Sequence, residues 1–356
     1  MKILIITTHL NPGGISRYVL NLSSALSSQN HTVWIASSGG AWCYDLSKKG
    51  VKHLTIPINT KSILSPKIIL SLYNLSRFFK REDIDIIHCN TRVTELLGFF
   101  CWRIYKIPYV CSFHGFYRAS AVRKLLPFSG LLSIAVSRSV KKHLIEDLNI
   151  PNDSIRVVYN GINTQDYSNN TNIRSSWGFK DKALILGILG RISEEKGHFL
   201  ALEAFKMLCA KYSNLFLVFS GKGKLLYKLQ NQINRYNLNQ KVKIADCTAT
   251  EFLSSIDILL VPSKKEGFGY SVIEAFVKGV PVIAYSTGGI SEIIKHKQNG
   301  ILFTSYNSRS LSDSIEDLIG NDFIKRKITA QAKDDSVFFS SQRMAIDTEK
   351  VYREVM

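Results

Sequence analysis

No run of 18 apolar residues occurs in the chain, so no segment is expected to cross a membrane as a helix. The opening stretch, MKILIITTHLNPGG, has an apolar run too short for a signal peptide and no small-residue cleavage site behind it. It reads as a first strand that ends in a Pro-Gly-Gly turn. Cysteine is sparse and scattered, at Cys43, Cys89, Cys101, Cys111, Cys209 and Cys247, with no C-x-x-C pair and no metal-type grouping with histidine. These read as reduced, mostly buried thiols of an intracellular protein. The dinucleotide fingerprint G-x-G-x-x-G is missing behind the first strand. RNP, helix-turn-helix and zinc signatures are missing too, which leaves nucleic acid without a recognisable reader.

Acidic residues are scarce in one half of the chain. Residues 1–165 hold 20 Lys and Arg against 8 Asp and Glu, so most of the formal charge of +18 lies there. Two stretches, Ser47 to Arg81 and Arg103 to Lys142, contain no acid at all and eight Lys or Arg each. Such patches suit nucleic acid, an anionic membrane face or a phosphorylated small molecule, and charge alone does not choose among them. What is present in quantity is apolar: 45% hydrophobic and 11% aromatic residues over 356 positions argue for a globular chain of two domains.

Apolar runs of strand length alternate with amphipathic segments of helix length. Ile3 to Thr7 precedes a helix from about Ile15 to Ser28, and strands follow at Thr32 to Ala36, Ile84 to Cys89, Tyr109 to Phe113, Leu132 to Val136 and Ile155 to Tyr159. After a polar stretch at 163–178, rich in Asn, Ser and Thr as a linker is, the pattern restarts at Ala183 to Leu189, Leu215 to Ser220, Val242 to Ala245, Ile258 to Pro262 and Pro281 to Tyr285. This predicts two doubly wound α/β domains of mainly parallel sheet. Ligands of open sheets bind beyond the carboxyl ends of the strands, so the cleft between the domains is the expected site.

The informative residues fall in those strand-end loops. Gly13 and Gly14 follow the first strand and let the backbone approach a ligand before a helix N-terminus, which favours anions. His114 follows Tyr109 to Phe113. In LGRISEEKG, Gly190 and Arg191 end a strand and Lys196 follows, two cations that flank a helix start and suit a diphosphate. In EGFGYSVIEAFVKG, Glu266 precedes a glycine turn and a helix from about Ser271 that is expected to end at Gly279. Ser271 and Glu274 have the spacing of a capping box, so Glu274 carries both a structural and a ligand reading.

The order and spacing of PGGISRYVLNLSSAL, DIIHCN, SFHG, AVSRSVKKHL, VVYNGIN, LGRISEEKG and EGFGYSVIEAFVKGVPVIAYSTGGISEII resemble the retaining, nucleotide-sugar-dependent glycosyltransferases of family 4, over nearly the whole length. The resemblance implies a GT-B fold: an N-terminal acceptor-binding Rossmann-like domain at 1–165, a C-terminal nucleotide-sugar-binding one at 166–335, and a helix at 336–356 that crosses back to the first. It implies that Arg191 and Lys196 bind the donor diphosphate, that Glu274 accepts from both ribose hydroxyls, and that Glu266 with the Gly267-Phe268-Gly269-Tyr270 turn contacts the donor sugar. His114 would touch that sugar, and the loop of Gly13 and Gly14 would close near phosphates and acceptor. No metal or other cofactor is implied. The D-x-D of Asp83 to Asp85 leads into a strand, as the matching stretch does in the family. Asn163 and Asp246-Cys247 depart from the family pattern.

The implied function is transfer of a hexosyl group from a UDP-, GDP- or ADP-linked sugar to a saccharide or lipid-linked acceptor in cell-surface polysaccharide or glycolipid synthesis. The basic first half adds an anionic membrane face as a candidate partner, for a cytoplasmic protein peripheral at the inner face of the membrane. A nucleotide-sugar epimerase or a phosphorylase is the alternative on the same fold, and a basic nucleic-acid-binding protein is a minor one.

Overall fold

The first apolar run forms strand β1, Lys2–Ile6, in which Ile3 to Ile6 are fully buried, as in a central strand covered on both faces. The computed structural model describes residues 1–179 and 182–356, which divide into two units: Met1–Asn163 with Phe339–Met356, and Thr164–Phe338. In the first, β1 pairs in parallel with β2 (Thr32–Ser37) and, on its other edge, with β4 (Ile86–Cys89). Strands β3 (Lys52–Thr55), β5 (Tyr109–Phe113), β6 (Leu132–Ala135) and β7 (Ile155–Val157) complete a seven-stranded sheet of order β3-β2-β1-β4-β5-β6-β7. Its helices are α1 (Gly14–Ser28), α2 (Lys67–Phe79), α3 (Arg92–Tyr105), the short α4 (Ala121–Leu125) and α5 (Arg138–Glu146).

The second unit has six parallel strands, β8 (Leu184–Leu189), β9 (Leu215–Ser220), β10 (Val242–Ala245), β11 (Ile258–Val261), β12 (Val282–Tyr285) and β13 (Ile301–Phe303), ordered β10-β9-β8-β11-β12-β13. Helices α6 (His198–Cys209), α7 (Leu226–Arg235), α8 (Ala249–Leu253), α9 (Tyr270–Lys278), α10 (Ile290–Ile293), α11 (Ser308–Ile319) and α12 (Asp322–Asp335) belong to it. Strand order reverses at β1/β4 in one sheet and at β8/β11 in the other. Those two switch points, where neighbouring chains leave in opposite directions, are where a crevice opens above the sheet.

Two strands carried no sequence signal. β3 reads KHLT and is half exposed, and β13 is three residues long; both lie at sheet edges, where no continuous apolar run is required. The polar stretch at 163–178 is not a free linker. Trp177 is buried, Arg174 pairs with Asp257 at 2.6 Å, and the Ile173 N–H donates to Ser255 Oγ at 2.8 Å, so its composition concealed an anchored segment of the second unit.

The final helix, α13 (Ser341–Val355), packs on α1 in the first unit. Its entry is pinned by a β-bridge between Ile162 and Ser340, with Ile162 N–H donating to Phe339 O and Ser341 N–H to Ile162 O, each at 2.9 Å. Asn21 Nδ2 donates to Gly161 O at 3.0 Å. A Cβ on Gly161 would overlap the Ser340 carbonyl, so this residue is glycine for want of room. Gly161→Ala should therefore destabilise the first unit by about 2 kcal/mol, the cost of overpacking a closed contact. Thermal melting with limited proteolysis of α13 checks it; unchanged melting and protection would contradict this docking.

Candidate functional site

At the β8/β11 switch, the two loops are stitched together. Beyond β8, the Gly190 N–H donates to Ser220 O at 2.9 Å, Arg191 is exposed, and Ile192 is buried beneath the loop. A single turn at Glu194–Lys196 then brings the chain to Gly197, whose φ is 71°. Any Cβ there would overlap the Pro262 carbonyl, so only glycine seats the start of α6 against the end of β11. Lys196 Nζ donates to Glu266 Oε2 at 2.5 Å, and the Lys264 N–H donates to Glu195 O at 2.7 Å. Sequence neighbours of different strands, 70 residues apart, thus form one ion pair. Its carboxylate is mostly buried while its ammonium is one-third exposed, so the pair contributes on the order of 1 kcal/mol after solvent screening.

The turn after Glu266 is held from behind. The Glu266 carbonyl accepts from the Gly289 N–H at 3.0 Å, and Phe268 is buried. Gly269 is the N-cap of α9 with φ 116°, and helix starts at Tyr270, one residue before the expected position. Ser271 therefore lies inside the first turn, and no side chain caps this helix. The capping-box reading of Ser271 and Glu274 is overturned, because the glycine turn carries the chain into helix before Ser271 is reached. Glu274 is a buried carboxylate of the second turn, and Gly279 is the left-handed C-cap as expected.

Helix starts fall into two kinds. α5, α8, α11, α12 and α13 are capped by the side chains of Ser137, Thr248, Asn307, Asn321 and Ser340. α2, α7 and α10 lack a side-chain cap, as do α1, α6 and α9, but these last three begin at Gly13, Gly197 and Gly269, at strand ends flanking the two switch points. First-turn amides left open at a helix N-terminus suit an anion. Just beyond Gly197, buried His198 has its pKa pushed down to about 4 by burial and by the Lys196 ammonium, which keeps it neutral there.

In the first unit, His114 follows β5 with Nε2 3.2 Å from Asn90 Oδ1, which requires the proton on Nε2. Its backbone N–H donates to Tyr117 Oη at 3.0 Å, and the Tyr18 ring of α1 meets its imidazole edge-on at 4.6 Å. Beneath it runs a buried polar chain. Tyr18 Oη lies 2.9 Å from Ser112 Oγ, which is 2.7 Å from His88 Nε2, and His88 Nδ1 is 2.6 Å from Tyr352 Oη of α13. Asn90 had no motif to mark it; its place at the end of β4, beside the switch point, is the cue the sequence holds.

Other candidates have structural explanations. Asp85 of the D-x-D accepts the Lys2 N–H at 2.7 Å, and Asp246 pairs with Lys222 at 2.8 Å on the surface. Only Cys89, Cys101 and Cys111 are buried; Cys43, Cys209 and Cys247 are partly exposed, since their positions border loops rather than the sheet centre, and all six are free thiols. Among the described residues no group of three His, Cys, Asp or Glu is arranged to hold a metal, and no helix is long and apolar enough to cross a membrane.

Burial lowers the pKa of both His88 and His114 to about 3. Each is neutral in the fold while the unfolded chain titrates near 6.5, so protons are taken up by the unfolded state alone as pH falls below that value. Stability should be flat in these groups above about pH 6.5 and fall as pH drops below it, because only the unfolded chain takes up these protons. His88→Gln should give a lower melting temperature at pH 8 and a shallower acid slope; an unchanged slope would contradict the neutral buried imidazole.

Residues 12–166 match the family described as Glycosyltransferase Family 4, and residues 169–335 match Glycosyl transferases group 1. An uncharacterised glycosyltransferase of Methanocaldococcus jannaschii is 27% identical over 390 residues, covering 100% of this chain and 99% of the relative. The O-antigen biosynthesis glycosyltransferase WclY of Escherichia coli is 26% identical, with 84% and 85% covered. Anabaena HepE, solved in complex with UDP-glucose, superposes with a TM-score of 0.87 at 20% identity over 99% of this chain and 100% of its own, a likeness of fold. The chain belongs to the family 4 glycosyltransferases of GT-B fold. The epimerase, phosphorylase and nucleic-acid readings are not favoured.

Proposed function

We propose that the protein is a retaining, metal-independent hexosyltransferase that uses a nucleotide sugar and extends a saccharide or lipid-linked acceptor at the cytoplasmic face of the membrane, in cell-surface polysaccharide or glycolipid synthesis. The observation that carries it is the meeting of Lys196 and Glu266 across the β8/β11 switch, beside the uncapped starts of α6 and α9. A dianionic diphosphate suits that combination of ammonium, guanidinium and the positive ends of two helix dipoles. UDP is the favoured carrier, since HepE binds UDP-glucose and WclY serves O-antigen synthesis.

In this reading Arg191 and Lys196 hold the diphosphate, with Gly190 keeping the backbone close. As the bond from sugar C1 to phosphate oxygen breaks, charge grows on the leaving diphosphate. Preorganised donors then stabilise it, each by about 3 kcal/mol, the work a divalent metal does in other transferases. The two oxygens of Glu274 suit the paired ribose hydroxyls. Glu266 and the amides of Gly267, Phe268, Gly269 and Tyr270 take the sugar hydroxyls. His114 is assigned to the hexosyl group and the Gly13-Gly14 loop to phosphates and acceptor. Retention rests on the family resemblance; no residue is assigned as a covalent nucleophile.

The ion pair adds a condition. Free enzyme holds Lys196 on Glu266, and the diphosphate must take it away, which releases the carboxylate for the sugar. Glu266→Gln should therefore bind UDP about fivefold more tightly, as expected for removing a competing pair of about 1 kcal/mol, yet turn over at least about 100-fold more slowly. Glu274→Gln should keep a near-normal melting temperature and weaken the UDP-induced thermal shift. Calorimetry of UDP binding and release assays with a UDP-sugar check both; unaltered UDP affinity in both variants would sink these assignments.

A further inference from the structure

Helix α2 is apolar on two sides. Ile68 and Leu75 are buried, but Ile69 and Tyr73, one turn apart, are 72% and 61% exposed. A surface helix ordinarily keeps that face polar. Helix α3 repeats the arrangement: Leu97 and Cys101 are buried, while Phe100 and Ile104, again four apart, face solvent. The two helices pack together, with the Phe79 ring 5.2 Å from that of Tyr105.

The segment around α4 is tied to α3 as well. Arg92, at the start of α3, donates to the carbonyls of Leu126 and Pro127, each at 2.5 Å, and its guanidinium covers the Phe128 ring at 4.9 Å. Held this way, Leu125 of α4 is 80% exposed. Among the described residues, more than half of the large apolar side chains exposed to solvent lie between Leu64 and Leu131. Scattered exposed apolar residues are ordinary; a concentration on adjoining elements marks an interaction surface.

The charge around this surface is predominantly positive. Lys67, Arg103, Arg118 and Lys124 are exposed within the two acid-free stretches that supply α2, the end of α3 and α4. Of the acids between those stretches, Glu95 is buried between Arg92 and Arg123, and Glu82 and Asp85 engage Lys2, which leaves Asp83 exposed. Apolar side chains flanked by cations in excess match the boundary between lipid headgroups and acyl chains of an anionic membrane. A nucleic acid would have no use for exposed Ile and Leu.

We infer that the outer surface of α2, α3 and α4 docks on an anionic lipid bilayer: Ile69, Tyr73, Ile104 and Leu125 enter the headgroup layer, and the lysines and arginines beside them meet lipid phosphates. The inference rests on the proposed function only in that a lipid-linked acceptor gives the docking its purpose.

Full-length protein sedimented with vesicles tests it, using phosphatidylcholine alone or mixed with phosphatidylglycerol. The protein should pellet with the anionic vesicles at low salt and stay largely in solution with the neutral ones. Lys67→Gln with Lys124→Gln should lower the partition coefficient by about fivefold per charge removed. Ile69→Asn with Tyr73→Ser should lower it at least as far, and both pairs should leave the melting temperature and the UDP-induced thermal shift unaltered. A retained UDP shift without vesicle binding, or equal binding to both vesicle types, overturns the docking and leaves the donor reading intact; vesicle binding without a UDP shift does the reverse. A dimer that Ile69→Asn with Tyr73→Ser makes monomeric would assign the surface to a second copy and overturn the inference.

Discussion

One ion pair organises the second unit's site. Lys196 and Glu266 come from loops that leave β8 and β11 in opposite directions, and nothing local in either loop requires the other. Their contact depends on Gly197, which brings the start of α6 to the Pro262 carbonyl, and on the Gly289 N–H, which fixes the Glu266 carbonyl. A cation and an anion are thus held together at a switch point, beside two helices that start at glycine. In the proposed mechanism a diphosphate, with more charge than one carboxylate, draws Lys196 away, and Glu266 then accepts hydrogen bonds from the sugar hydroxyls.

The first unit solves a different problem, the holding of a neutral imidazole. His114 is set by Asn90, Tyr117 and the Tyr18 ring, and Tyr18 is itself anchored through Ser112 and His88 to Tyr352 of α13. The last helix of the chain is thus part of the support for a residue at the end of β5. Burial that excludes water from this chain also keeps both histidines unprotonated, so the geometry of the support and its sensitivity to acid have one cause.

Much of this was legible in the residues. Central strands such as Tyr109–Phe113 and Leu215–Ser220 declare themselves, because a strand covered on both faces must be a continuous apolar run. The edge strands β3 and β13 escape that constraint and were silent. Glycine turns at strand ends marked Gly13, Gly190 and Gly269, but local spacing misplaced the start of α9 by a residue and so suggested a cap for Glu274 that does not exist. Long-range partners were out of reach: no local pattern encodes the pairing of Lys196 with Glu266, or of His114 with Asn90. The anchoring of 163–178 was hidden too, since one indole in a polar stretch leaves the average composition of a linker.

In the proposed mechanism the Lys196–Glu266 pair of the free protein is exchanged for the donor diphosphate. A double-mutant cycle of Lys196→Met and Glu266→Gln, read as unfolding free energy with and without saturating UDP, tests it most directly. The coupling should be about 1 kcal/mol in the free protein and fall to near zero with UDP bound. A coupling that UDP leaves unchanged, or none in the free protein, would contradict it.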